Sequence, residues 1–326
     1  MICAHQHHPS RGSAAQAAVR FISGVPNPGL PKKYPSYLKP IPVNQRDIEA
    51  ALRAAIDRES PQLIKWLYST WTAQADAIKY QEIRNALVTG EIDQAWLDSW
   101  SRDYAEFINE RWWPVASRTM ESAAGLMLNS IDGYPGSLRI GTEAISAYLR
   151  NHAAELIDDL TAQQKLAVRN VLNWGISSEL GPDEMARYLR PFVGLNGPQS
   201  TAMLAYRVEL EKAGLLSPEQ IETKVQDYAV WLNRRRAATI AQTEVSNAFR
   251  EGQLESMKQL VGPGGWLEGE QIVKTWRTAP GCCDECRDMG GETVPIDQPY
   301  SNDLMTAGAH PHCYCIDEYA RMRASE

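Results

Sequence analysis

Apolar residues recur at helical spacing through most of the chain. In "QRDIEAALRAAIDRES" the positions Ile48, Leu52, Ala55 and Ile56 fall on one face, Asn44 and Asp47 offer a cap, and Pro61 is expected to end the run. Two further helical runs follow, "TAQADAIKYQEIRNALVTG" closed by Gly90 and "EIDQAWLDSWSRDYAEFINERWW" closed by Pro114. "NSIDGYPGSLRIG" is turn-rich, with room for a short strand. Helices resume at Thr142 and again at Thr161, and "PDEMARYLR" adds a short one with Pro182 at its first position.

The clearest helix start is "SPEQ" at 217–220. Ser217 suits the N-cap, Pro218 the first turn, and Gln220 can complete a capping box. The pattern then runs to about Leu260, with Ile221, Val225, Tyr228 and Leu232 as one stripe and Ala241, Val245 and Ala248 resuming it past Arg236. A helix over 218–260 would be roughly 60 Å long at 1.5 Å per residue.

The two ends break the helical pattern. Residues 1–44 carry Pro26, Pro28, Pro31, Pro35, Pro40 and Pro42, which fix φ and remove donors, so this segment reads as an extended arm, either disordered or laid on a partner. His5, His7 and His8 sit in it and could bind metal, but a flexible polar end is the favoured reading. Residues 263–326 are rich in Gly, Pro, Asp and Cys, with β-like pieces such as "QIVKTW". That tail is too small and polar to hold itself by a hydrophobic core, so a staple is expected. The predicted fold is mainly α: an extended arm (1–44), an N-terminal helical region (45–160), a second helical region containing the long helix (161–262), and a small, irregular α+β Cys/His module (263–326).

Composition adds limits. No apolar run reaches the roughly 18–20 residues of a membrane helix, and the N-terminus lacks the apolar stretch of a secretory signal. Synthesis in a reducing cytoplasm is expected, where clustered cysteines more often bind metal than form structural disulfides. The net charge of −7 argues against a surface devoted to nucleic acid. Trp is frequent, 10 against 4 Phe, which fits core or interface anchoring.

Of six cysteines, five lie after residue 281. Cys283 and Cys286 form C-x2-C, and His310, Cys313 and Cys315 form H-x2-C-x-C. Four of these five groups can surround one tetrahedral Zn2+, and such an ion contributes on the order of 10 kcal/mol of folding free energy. Cys282 offers a competing register and His312 a spare nitrogen. Disulfides formed after leaving the cytoplasm are the alternative. The zinc-deaminase order, H-x-E before the cysteine pair, is absent.

Together these motifs resemble the phage Mu F-like family of minor head, or head morphogenesis, proteins. "RRRAATIAQTEVSNAFREGQ" is similar to the family's signature helix, "KTWRTAPGCCDEC" to its tryptophan strand and C-x2-C, and "HPHCYC" to its terminal H-P-x-C-x-C; the likeness covers about 165–316. Gln242 and Tyr314 stand where the family tends to have Arg. The resemblance implies a minor capsid protein of a tailed phage, in the virion head at the portal vertex, in several copies. Its implied partners are the portal protein and major capsid protein, with DNA a further candidate, and it implies no catalytic activity. The rival is a zinc-dependent hydrolase or nuclease acting in head assembly or DNA delivery.

Two helix features remain. Glu244, Asn247 and Glu251 share one face, but the two carboxylates are roughly 10 Å apart, so a polar seam to the module's backbone or to an arginine is expected rather than a paired-acid site. Arg234, Arg235 and Arg236 are candidates for contact with a protein partner or DNA.

Overall fold

The computed structural model describes residues 38–41, 43–89, 91–136 and 142–322. Helix α1 (Gln45–Ala77) is capped by Asn44, whose side chain accepts from the Arg46 N–H. It does not stop at Pro61. Pro61 lies on the exposed side of the helix, where the carbonyl it leaves unbonded can turn to water, while Leu52, Ile56, Leu63 and Leu67 stay buried along the other side. α2 (Tyr80–Thr89) and α3 (Gln94–Phe107) follow.

Pro114 does not close α3 either. A π-helical segment, Ile108–Trp112, leads straight into α4 (Trp113–Leu128), and the Trp113 N–H donates to Ile108 O, five residues back. The wider turn absorbs the hydrogen bond that proline cannot donate. α5 (Glu143–Ser177) starts at Thr142 as expected, but it is a single 35-residue helix. Thr161 is not a cap: its hydroxyl donates back to Ile157 O inside the helix. The expected division between 45–160 and 161–262 therefore falls in mid-helix, and one core joins both halves.

α6 (Pro182–Leu189) begins at Pro182 as read from the sequence. α7 (Gly197–Ala213) was not foreseen, although Asn196 and Gln199 form a reciprocal capping box and Gly214 closes it at φ +65°. α8 (Pro218–Val261) carries the Ser217–Gln220 box and runs 44 residues without a break. It packs on α1 and α4 along its length. At Gly252 the α4 backbone comes so close that a Cβ would sit 2.5 Å from Met120 Cα and O. Gly252→Val should therefore push two helices apart and destabilise the fold by about 3 kcal/mol in denaturant melts; unchanged stability would contradict that contact.

The tail folds as β2 (Ile272–Arg277), α9 (Asp284–Met289), β3 (Thr293–Pro295) and β4 (Ile316–Met322). The sheet order is β1-β4-β2-β3, all antiparallel, with β1 being Leu38–Pro40. So the end of the N-terminal arm is laid on this chain's own tail: Leu38 pairs with Met322, Pro40 with Ala320, and the Ile41 N–H donates to Tyr319 O. Pro40 is tolerated because β1 is an edge strand. Cys3, His5, His7 and His8 lie outside the described residues. The tail has a small core of its own around Trp276, Tyr300 and three cysteines, while Ile272, Ile296, Ile316 and Tyr319 belong to the main core. It is a docked layer of one body, mainly helical overall. No described helix is long and apolar enough to cross a membrane.

Candidate metal centre

Two ends of the tail meet in one place. Cys283 caps α9, and its Sγ accepts from the Cys286 N–H at 3.4 Å. The H-x2-C-x-C segment leads into β4 and brings His310, Cys313 and Cys315 against them. Two overlapping donor groups result, Cys283–Cys286–His310 and Cys286–Cys313–Cys315, each with its donor atoms within 4.8 Å of one another. Cys286, Cys313 and Cys315 are buried. This cluster can hold a metal ion.

The donors fit a metal better than they fit a disulfide. Cys286 Sγ and Cys313 Sγ are 3.6 Å apart. A tetrahedral ion with sulfur at about 2.3 Å sets its ligands about 3.8 Å apart, whereas a disulfide needs about 2.05 Å. The five tail cysteines are unbridged. His310 Nδ1 is 2.8 Å from Pro311 O, an arrangement in which it donates, leaving the lone pair on Nε2. His310 Nε2 is buried beside the Cys313 thiol at the edge of the cluster. Hydrogen bonding to Cys286 and then Cys315 drives the Cys313 thiol far below its ordinary range, and the same contact pushes Cys286 up. Ligand protons still held by the cluster must leave when an ion binds.

The two spare groups are not ligands. Cys282 stands outside both donor groups. His312 faces α8: Nδ1 donates to Gln242 Oε1 (2.5 Å) and Nε2 meets the Thr239 hydroxyl (2.8 Å). Burial, then the nearby Arg235 charge, lowers its pKa, which suits a neutral ring bonded at both nitrogens. Cys282→Ser and His312→Ala should leave metal stoichiometry unchanged by elemental analysis, and loss of the ion in either would contradict this assignment.

Sequence reasoning missed the group that holds the segment in place. Arg250 of α8, 2 % exposed, donates from Nε to Cys315 O (3.0 Å) and from Nη2 to Cys313 O (2.5 Å). Gly308 lets the guanidinium in, since a Cβ there would lie 2.8 Å from Arg250 Nη1. Two more buried ionisable groups support the sheet. Lys274 Nζ donates to Ile296 O and Met305 O, and burial lowers its pKa to about 8. Asp317 accepts from the Tyr300 hydroxyl and the Ala307 N–H.

The other candidates divide. Glu244 bonds neither the module's backbone nor an arginine: its Oε2 lies 2.5 Å from His152 Nε2 of α5, and Tyr148 stacks on that imidazole. Thr243 bonds back to Thr239 O. Asn247 is half-buried one turn on. Arg236 is no surface contact. It is buried, with Nη1 donating to Gly194 O and Nη2 to Gln163 Oε1. Arg234 and Arg235 are exposed.

Comparison with protein-family models, curated proteins and solved structures returns no match.

Proposed function

We propose that this chain is a structural, non-enzymatic component of a tailed-phage head, acting at the portal vertex, and that Zn2+ closes its C-terminal layer. The observation that carries the structural reading is the form of the donor cluster: its central thiols are buried and its loop is clamped to the longest helix by Arg250. A hydrolytic zinc needs an open coordination position and a nearby general base; neither donor group includes a carboxylate among the described residues. Cys286 is common to both groups and its Sγ lies 3.6 Å from Cys313 Sγ, so both would ligate, with the remaining positions drawn from Cys283, His310 and Cys315. Zinc is favoured by the sulfur-rich, imidazole-containing donor set.

The head assignment is supported by the order of three motifs: the α8 signature, the tryptophan strand with C-x2-C, and the terminal H-P-x-C-x-C. The portal and major capsid proteins are its proposed partners. Co-expression with a tailed-phage portal protein tests it. Co-purification in fixed ratio is expected, and its weakening on deletion of residues 1–37 would assign the contact to the arm. A chain that never associates with portal or capsid, or that hydrolyses DNA or scaffold protein with its zinc bound, would overturn the reading.

A further inference from the structure

Trp231 is 47 % exposed on α8, and two side chains pack on its ring. Tyr228, one turn earlier, stacks on it at 5.7 Å and 19°, and the Arg235 guanidinium, one turn later, lies 4.6 Å from its centroid. Tyr228, Trp231 and Arg235 line one helix face. Tyr206 of α7 extends the ladder, 5.0 Å from Tyr228. Beside it Arg234 lies over Tyr68 of α1 at 5.9 Å, and Val230 is 37 % exposed. Neither Arg234 nor Arg235 has a carboxylate partner among the described residues, on a chain whose net charge is −7.

A guanidinium stacked flat on a ring keeps its in-plane N–H fork free, and that fork matches a carboxylate bidentately. The stack also fixes the side chain in advance, which lowers the ordering cost of binding. Trp, Tyr and Arg are the residue types that dominate protein–protein hot spots. Single-stranded nucleic acid binds by stacking bases on open aromatic faces, and Tyr228 and Arg235 already pack on the Trp231 ring. A phosphate backbone would need a run of cations; this face offers two, because Arg236 is buried.

We propose that this face of α8 docks an acidic protein segment, with carboxylates on the forks of Arg234 and Arg235 and a large apolar side chain against the open edge of Trp231 and Val230. The inference stands on this face alone and does not depend on the head assignment or on the metal.

The test is to pan a displayed random-peptide library on the folded full chain, then measure the enriched peptides by fluorescence anisotropy. Enrichment of Asp or Glu beside a large apolar residue is expected, with affinity falling at least about tenfold in Trp231→Ala and in the double variant Arg234→Glu/Arg235→Glu. Circular dichroism should find both variants folded. Enrichment without acidic bias, or equal binding to the charge-reversed variant, overturns the proposal. Labelled oligo(dT) bound by the wild type and lost on charge reversal would replace it with a nucleic-acid surface. A concentration-dependent dimer dissolved by Arg235→Glu would put a second copy on this face and overturn a separate partner.

Discussion

Cys286→Ser should cost this protein its metal and its C-terminal layer together. Purified wild type is expected to carry one zinc per chain, and the variant none, by elemental analysis. Because Cys286 belongs to both donor groups, no regrouping of the remaining four restores a sulfur at its position. Structural zinc contributes on the order of 10 kcal/mol, so even with partial compensation the loss should exceed about 5 kcal/mol. Strong chelation of the wild type should reproduce the effect. Buried Trp276 packs among the same thiols and reports the change by its fluorescence. Alkylation of denatured, unreduced protein should label every tail cysteine, whereas blocked thiols would favour disulfides. Unaltered melting of a metal-free chain would remove the staple from the account.

The second large effect should come from a residue that touches no metal. Arg250→Leu leaves the Cys313 and Cys315 carbonyls without their donors in a buried site. Each unsatisfied buried group costs about 1–3 kcal/mol, so a loss of about 3–5 kcal/mol is expected in denaturant melts. Metal affinity should fall as well, because the segment bearing two thiols and His310 is no longer held against α8. Arg250→Lys should recover only part of this, since one ammonium cannot reproduce the two-point geometry. If Arg250→Leu binds zinc as tightly as wild type, the clamp does not organise the ligands.

The parts of the fold that depend on local rules were legible in the sequence. The Ser217–Gln220 box, the Asn44 and Thr142 caps and the "QIVKTW" strand all lie where chain chemistry puts them. The donor cluster was legible because metal-ligand spacing is a local code. The failures came where tertiary packing outweighed a local signal. Pro61 and Pro114 look like stops, but a continuous buried stripe and a π-turn carry the helix past them. Thr161 looks like a cap, but burial of Gln164 and Val168 beyond it continues α5. Arg234, Arg235 and Arg236 read alike in one dimension, and only the helical phase separates the buried Arg236 from its exposed neighbours. The Glu244–His152 pair spans 92 residues and Arg250 reaches its carbonyls across 63 and 65. No window of sequence contains either.

The sheet has a consequence for how the chain is made. Its central strand β4 lies between β1 and β2, yet a ribosome delivers β4 after every other described element. Until then β1 has no neighbour and β2 has only β3, and the thiols of Cys313 and Cys315 arrive only just ahead of β4. Helices dominated by local contacts can form early, while this long-range pairing must wait. Anchoring of the N-terminal arm and closure of the thiol cluster would then be late, near-simultaneous events. A nascent chain stalled before Ile316 should hold its helices with the arm still undocked, so the arm's attachment signals that translation has passed β4.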